Sequence, residues 1–227
     1  MDILSKTIKT TKIPVYFMPG LAASSSIFEN IHLPEAQFDC FLLDWFVPEK
    51  DESLQSYAKK MAALVTHKNA VLIGVSFGGI LVQEMAQFVK PKKVIIISSV
   101  KSNSELPQRM KIVRATKAYK IVPTGLLENV EILSKYIKID QLQQRLKLYE
   151  RYLKMKDKSY LDWAIKQVVC WNRTTIDPNV IHIHGDADEV FPVKNIKNFI
   201  NIKGGTHMMI LNRFRWFNQH LPELITK

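Results

Sequence analysis

Cysteine is scarce in this chain: 227 residues contain two, Cys40 and Cys170. Each lies in an apolar run, Phe38–Leu43 and Val168–Trp171, and reads as a buried reduced thiol. There is no Cys-x-x-Cys pair and no Cys/His cluster that would suggest zinc. Long apolar runs are missing as well. The longest candidates, Ala70–Val75 and Val94–Val100, have strand length and fall short of the ~18 residues a membrane-crossing helix needs. Met1–Lys12 alternates Lys and Thr with scattered Ile and holds no continuous apolar stretch, so the expectation is no secretory leader and a cytoplasmic protein. Hydrophobic residues at 47% and charged residues at 23% exclude collagen, a disordered tail and a disulfide scaffold. A chain of this length can bury a core without a disulfide or metal staple.

Acidic residues are in short supply, 21 against 32 Lys and Arg, for a net charge of +11. Most of the excess falls in residues 101–175, which hold 16 basic and 7 acidic side chains. The lysines are dispersed along helical stretches and form no block, which reads as a solvated helical surface. The alternative is attraction for anions: phosphorylated or carboxylated substrates, nucleic acid or an anionic membrane surface. No nucleic-acid motif accompanies the charge, so no nucleic-acid partner is expected.

The first half alternates strands and helices. Ile13–Met18 and Phe38–Leu43 are short apolar runs, the first ending at Pro19-Gly20. Ser53 to about Thr66 has helical spacing with Ser53 as N-cap. Ala70–Val75 reads as a strand, Ser76–Val89 as a helix that stops before Pro91, and Val94–Ser98 as the next strand. Continuous apolar strands separated by helices predict a mostly parallel sheet covered on both faces, an α/β fold. Between about Ser102 and Thr175 no strand is predicted. Amphipathic stretches such as Ile139–Met155 and Tyr160–Trp171, broken at Pro123-Thr124-Gly125, predict a helical insertion. Strands return at Val180–His184 and Asn198–Ile202, followed by a terminal helix over about Met209–His220.

The chemistry concentrates in three loops. Gly74-Val75-Ser76-Phe77-Gly78-Gly79 follows a predicted strand and opens a helix. A sharp strand-to-helix turn would expose the Ser76 hydroxyl at the C-terminal edge of the sheet, and the flanking glycines leave room for close approach. The Phe77 amide then sits at a helix N-terminus, where it can bind an oxyanion. Serine is a weak nucleophile without a base, and the base needs an orienting acid. His184-Gly185-Asp186-Ala187-Asp188-Glu189 follows one predicted strand, and Gly204-Gly205-Thr206-His207 follows the next. The order Ser76, Asp188, His207 is the chain order of α/β-hydrolases.

These pieces, together with Met18-Pro19-Gly20-Leu21 and Pro192, resemble the α/β-hydrolase superfamily over nearly the whole chain. The resemblance implies Ser76 as nucleophile, His207 as general base and then acid, and Asp188 as the orienting carboxylate, with Asp186 as runner-up. It also places the second oxyanion donor at the Leu21 amide. Departures from the family pattern are Pro19-Gly20 where His-Gly is common, little chain before Ile13 for the early strands, and few residues between Asp188 and His207. They suggest a fold trimmed at its N-terminal strands. The expected architecture is one domain, 1–227, with a helical cap at 101–175. The expected activity is a serine hydrolase acting on a small-molecule ester or thioester, with no cofactor and no metal. An acyltransferase using the same triad, or a non-catalytic binding protein of the same fold, are the alternatives.

The remaining polar residues carry blander readings. His182 and His184 share a strand face and read as core or loop residues before metal ligands. Asp44 reads as a cap or turn residue or as pocket lining. Ser24, Ser25 and Ser26 read as caps of the helix after the first strand. Tyr149, Tyr152, Tyr160, Trp163 and Trp171 read as packing between insertion and core, with a substrate wall as the alternative.

Overall fold

The computed structural model describes residues 12–121 and 151–227. Six strands form one sheet: β1 (Ile13–Met18), β2 (Phe38–Leu42), β3 (Val71–Val75), β4 (Lys93–Ile97), β5 (Ile181–Gly185) and β6 (Ile200–Ile202), in the order β2-β1-β3-β4-β5-β6. Every pairing among them is parallel. From β1 the chain steps to one side to make β2, then crosses back to make β3 and continues outward the other way. The order therefore reverses between β1 and β3, and such a switch point leaves a crevice at the C-terminal ends of the two strands. Gly20 follows β1 and Ser76 follows β3, so both stand at that crevice.

Strand side chains alternate between two cores. Tyr16, Met18, Leu72 and Ile96 face one, with α1 (Leu54–Ala62) and α2 (Phe77–Val89) against them. Val15, Phe17, Ile73 and Ile97 face the other. That face is covered by a 3-10 turn at Ser25–Phe28, the short α5 (Met209–Asn212) and α6 (Phe214–Thr226). Because both faces of β3 and β4 are buried, these strands read as continuous apolar runs instead of alternating ones.

Several boundaries differ from the sequence expectation for local reasons. α1 stops at Ala62, and its last turn tightens through Leu64 N–H to Met61 O and Val65 N–H to Ala62 O. The Thr66 amide then bonds the Tyr16 hydroxyl instead of continuing the helix. The terminal helix divides at Arg213 and runs on to Thr226, with Pro222 inside it. Between β5 and β6 a 3-10 turn at Val193–Asn195 stands where a helix would be usual. The expectation of a sheet trimmed at its N-terminal side bears on residues 1–11, outside the described residues. The two cysteines are not both buried: Cys40 is exposed on the edge strand β2, and Cys170 is half-buried.

The described parts of the insertion leave the sheet after β4 and rejoin it before β5. Its two roots are tied together by Asn103 N–H to Arg173 O, 2.8 Å. It contains α3 (Gln108–Thr116), a 3-10 turn at Ala118–Ile121 and α4 (Lys158–Cys170). The predicted break at Pro123–Gly125, Tyr149 and most of the stretch Ile139–Met155 lie outside the described residues. Asp157 caps α4 by accepting from Tyr160 N–H. The inner face of α4 packs Tyr160 and Trp163 against Trp45, Tyr57 and Phe77, with ring centroids 4.4–5.8 Å apart. The described members of the aromatic stripe, Tyr152, Tyr160, Trp163 and Trp171, are buried as packing between insertion and core. Lys111, Arg114, Lys117 and Lys120 are exposed, as a solvated helical surface requires. No helix among the described residues is long and apolar enough to cross a membrane.

Trp163 is 7% exposed and its Nε1–H donates to Glu52 O. Trp163→Ala removes that bond and opens a cavity under the insertion. It should lower unfolding stability by about 3–5 kcal/mol, measured as a shift of the urea midpoint at unchanged slope.

Candidate active site

The turn between β3 and α2 is strained. Ser76 has φ 53° and ψ −119°, a region that costs a non-glycine residue about 1–3 kcal/mol. It is held from both sides. Ser76 N–H donates to Ile97 O at 2.9 Å, while Ser76 O accepts from Gly79 N–H at 2.9 Å and from the Ser99 hydroxyl at 2.8 Å. A Cβ on Gly78 would stand 2.3 Å from Pro19 O, so only glycine lets α2 lie this close to the end of β1. The strain turns the Ser76 hydroxyl away from the helix; its side chain makes no capping bond.

That hydroxyl donates to His207 Nε2 at 2.9 Å, and His207 Nδ1–H donates to Asp188 Oδ2 at 2.9 Å. The direction follows from the carboxylate, which can only accept. Asp188 is buried, and its Oδ1 accepts from Val190 N–H at 2.8 Å and Phe191 N–H at 2.9 Å. The edge of Phe191 rests on the His207 ring, centroids 5.5 Å apart. The loops carrying Asp188 and His207 meet backbone to backbone: Ala187 N–H donates to Gly205 O, and a Cβ on Gly185 would stand 2.1 Å from that oxygen. Asp186, the runner-up carboxylate, points elsewhere. It is exposed and accepts from Gly204 N–H at 2.6 Å, bracing the turn before His207 without touching the ring.

His182 and His184 bond to one another beneath this loop. His184 Nε2–H donates to Phe191 O at 2.8 Å, which leaves its Nδ1 to accept from His182 Nε2–H at 3.1 Å. Burial holds both imidazoles below the usual histidine range, His182 far below it. Through Phe191 O the pair braces the loop that carries Asp188.

No protein-family profile and no curated protein sequence matches the chain. Solved structures do. The fold is similar to that of an enol-lactonase from Burkholderia xenovorans LB400, with 13% identity over 96% of this chain and 92% of that one, at a TM-score of 0.67. It is similar to Est816, an N-acyl homoserine lactone degrading enzyme, with 19% identity over 94% and 93% and a TM-score of 0.66. The esterase EaEST from Exiguobacterium antarcticum gives 16% identity over 96% and 93% with a TM-score of 0.62. The chain has the α/β-hydrolase fold.

In this α/β-hydrolase fold, Ser76 and His207 face a cavity of about 260 Å³. Its other side chains are apolar, from the loop after β1 (Leu21, Ala23, Ile27), from the insertion (Met110, Leu153, Val168) and from the neighbourhood of Asp188 and His207 (Val190, Phe191, Met208). No lysine or arginine among the described residues lines it. A larger groove of about 570 Å³ between Pro48–Asp51 and α4 contains none of Ser76, Asp188 and His207. Leu21 and Phe77 both border the Ser76 cavity, and neither amide has a hydrogen-bond partner among the described residues.

Other residues brace the site through contacts that sequence spacing does not announce. Trp45 Nε1–H holds Gly20 O at 2.8 Å, and the Tyr160 hydroxyl accepts from Ala22 N–H at 3.3 Å. Both fix the loop that presents the Leu21 amide. Asp44 is no pocket residue: it accepts from the amide and hydroxyl of Ser25 at 2.6 and 2.8 Å, capping the 3-10 turn after that loop. Ser24, the turn's N-cap residue, bonds Ser26 instead.

Two outcomes follow from this packing. Gly185→Ala must push the Asp188 and His207 loops apart, so it should cost about 1–3 kcal/mol of stability, read by melting. The buried histidine pair gives a pH dependence of opposite cause. Below about pH 6.5 the unfolded chain takes up protons that the folded pair refuses, so stability falls on acidification. His182→Asn should flatten that fall in a series of melts between about pH 8 and pH 5.

Proposed function

We propose that the protein is a serine hydrolase that cleaves a carboxylic ester or thioester with an uncharged acyl group through an acyl-enzyme. The carrying observation is the hydrogen-bonded line Ser76–His207–Asp188, with its strained serine facing an apolar cavity. In this reading Ser76 Oγ attacks the acyl carbon while His207 Nε2 takes its proton. Asp188 keeps the proton of the neutral ring on Nδ1 and stabilises the imidazolium. The oxyanion is received by the Leu21 and Phe77 amides, which border the same cavity and have no other partner. His207 returns its proton to the leaving oxygen or sulfur, and the bond to the acyl carbon breaks. Water then attacks the acyl-enzyme, His207 takes the water proton, and Ser76 leaves with that proton as the free acid is released.

We also propose the organisation of one domain over residues 1–227 with a cap at 101–175, supported by Met110, Leu153 and Val168 lining the Ser76 cavity. The wall formed by the described residues is apolar and holds no lysine or arginine, so it gives a terminal carboxylate or phosphate on the acyl chain nothing to replace its hydration. Neutral aliphatic p-nitrophenyl esters should therefore be turned over faster than hemisuccinate or hemiglutarate esters. Equal rates would count against an apolar acyl site.

A fluorophosphonate probe tests the nucleophile. Ser76→Ala should abolish covalent labelling with the melting temperature retained, and undiminished labelling would reject Ser76. Asp188→Asn should lower kcat by about three to four orders of magnitude through the wrong His207 tautomer. Asp186→Asn should cost far less, since Asp186 braces only a turn; a reversed ranking would reassign the acid.

A further inference from the structure

The carboxylate of Asp188 is held by two backbone amides, and those two peptide groups are themselves held from their other side. A peptide unit is planar and trans, so its N–H and C=O point in opposite directions and turn together. The amide of Val190 shares its plane with the carbonyl of Glu189, and the amide of Phe191 shares its plane with the carbonyl of Val190. The two amides donate to Asp188 Oδ1 at 2.8 and 2.9 Å. The two carbonyls both accept from a single nitrogen of the insertion, Arg109 Nη2, at 2.5 and 2.8 Å. Arg109 thus grips the same two planes that grip the acid. The next carbonyl, Phe191 O, is held from inside the sheet by His184. The loop is clamped from below by a buried histidine and from above by α3.

We infer that Arg109 is a positioning residue for Asp188, and that docking of α3 sets the orientation of the triad's acid. The inference rests on the triad reading above. Arg109 itself borders no part of the Ser76 cavity. It acts through the peptide planes: fixing the two carbonyls fixes where the N–H groups aim, and a cation on each carbonyl strengthens its amide as a donor to the carboxylate. α3 buries none of its residues, so a contact of this kind, on a polar helix at the surface, links the state of the cap to the chemistry beneath it. Water competes for an exposed guanidinium, so the contact adds little to global stability and its loss leaves the protein folded.

The test uses Arg109→Met, which keeps an unbranched stem and removes charge and donors, and Arg109→Lys, which keeps a charged donor nitrogen for the two carbonyls. Each is made in the wild-type and the Asp188→Asn background. The readouts are p-nitrophenyl acetate turnover, the rate of fluorophosphonate labelling and the melting temperature. Arg109→Gln is the second neutral variant should R109M melt below the assay temperature. R109M should lower kcat and the labelling rate about ten- to a hundredfold, with KM nearly unchanged. R109K should recover most of the loss. R109M should add nothing to D188N, because the two act through one carboxylate.

An equal loss in both backgrounds, a change in KM alone, or an R109K variant as slow as R109M would overturn the inference, since each is what a purely structural or substrate-binding role produces. R109M at the wild-type rate alongside an impaired D188N overturns this inference and leaves the triad reading intact. D188N at the wild-type rate overturns both.

Discussion

The site depends on one unfavourable backbone conformation. Ser76 occupies φ 53° at the end of a central strand, and the surrounding packing leaves it nowhere to relax. Its amide is tied to β4 through Ile97 O and its carbonyl to the first turn of α2 and to Ser99. α2 lies against the end of β1 only because Gly78 has no side chain. Local strain of this size persists where the environment over-determines it. The result is a hydroxyl that projects from the sheet instead of folding back as a helix cap. The histidine, the acid and the cavity are all placed relative to that hydroxyl.

The insertion belongs to this arrangement as more than a cover. The segment after residue 150 pairs with the loop after β1: Ala23 bridges Leu153, and Ser24 N–H donates to Tyr152 O at 2.8 Å. The Tyr160 hydroxyl accepts from the Ala22 amide one residue beyond Leu21. Trp171 and Arg173 anchor the returning root on the buried Glu84 of α2, at 3.1 and 3.0 Å. With Arg109 on the loop after Asp188, the insertion contacts the loop after β1, the helix that follows Ser76 and the Asp188 loop. Among its described residues most lysines and arginines lie on faces turned to water, while Tyr160, Leu161, Trp163, Ala164, Val168 and Trp171 turn inward.

What could be read in the sequence was what is local. Strands buried on both faces announce themselves as apolar runs, and a Gly-x-Ser-x-Gly turn between strand and helix carries its geometry in adjacent residues. Ser76, Asp188 and His207 could be singled out because each follows a strand within a few residues. What could not be read were contacts across the chain. Asp44 caps Ser25 from 19 residues away, Trp45 holds Gly20 from 25, and Arg109 reaches Val190 from 81. A polar helix such as α3 has no apolar stripe, so nothing in its pattern tells which of its cations is engaged. Cys40 was misread because a run of apolar neighbours does not say whether a strand lies at an edge.

The order in which the two cores are covered has a consequence for biosynthesis. One face of β1, β3 and β4 is covered early, by α1 and α2, which lie between these strands in the chain. The other face, with Val15, Phe17, Ile73 and Ile97, waits for Phe217, Leu221 and Ile225 of the last helix. Lys93 Nζ even bonds Leu224 O, joining a strand to a turn made 131 residues later. A nascent chain therefore carries the Ser76 turn beside an uncovered apolar face until α6 has been made. Long-range closure of this kind is slow and leaves the intermediate prone to association. Loss of residues 216–227 would act first on solubility, with the three loops of the site still encoded.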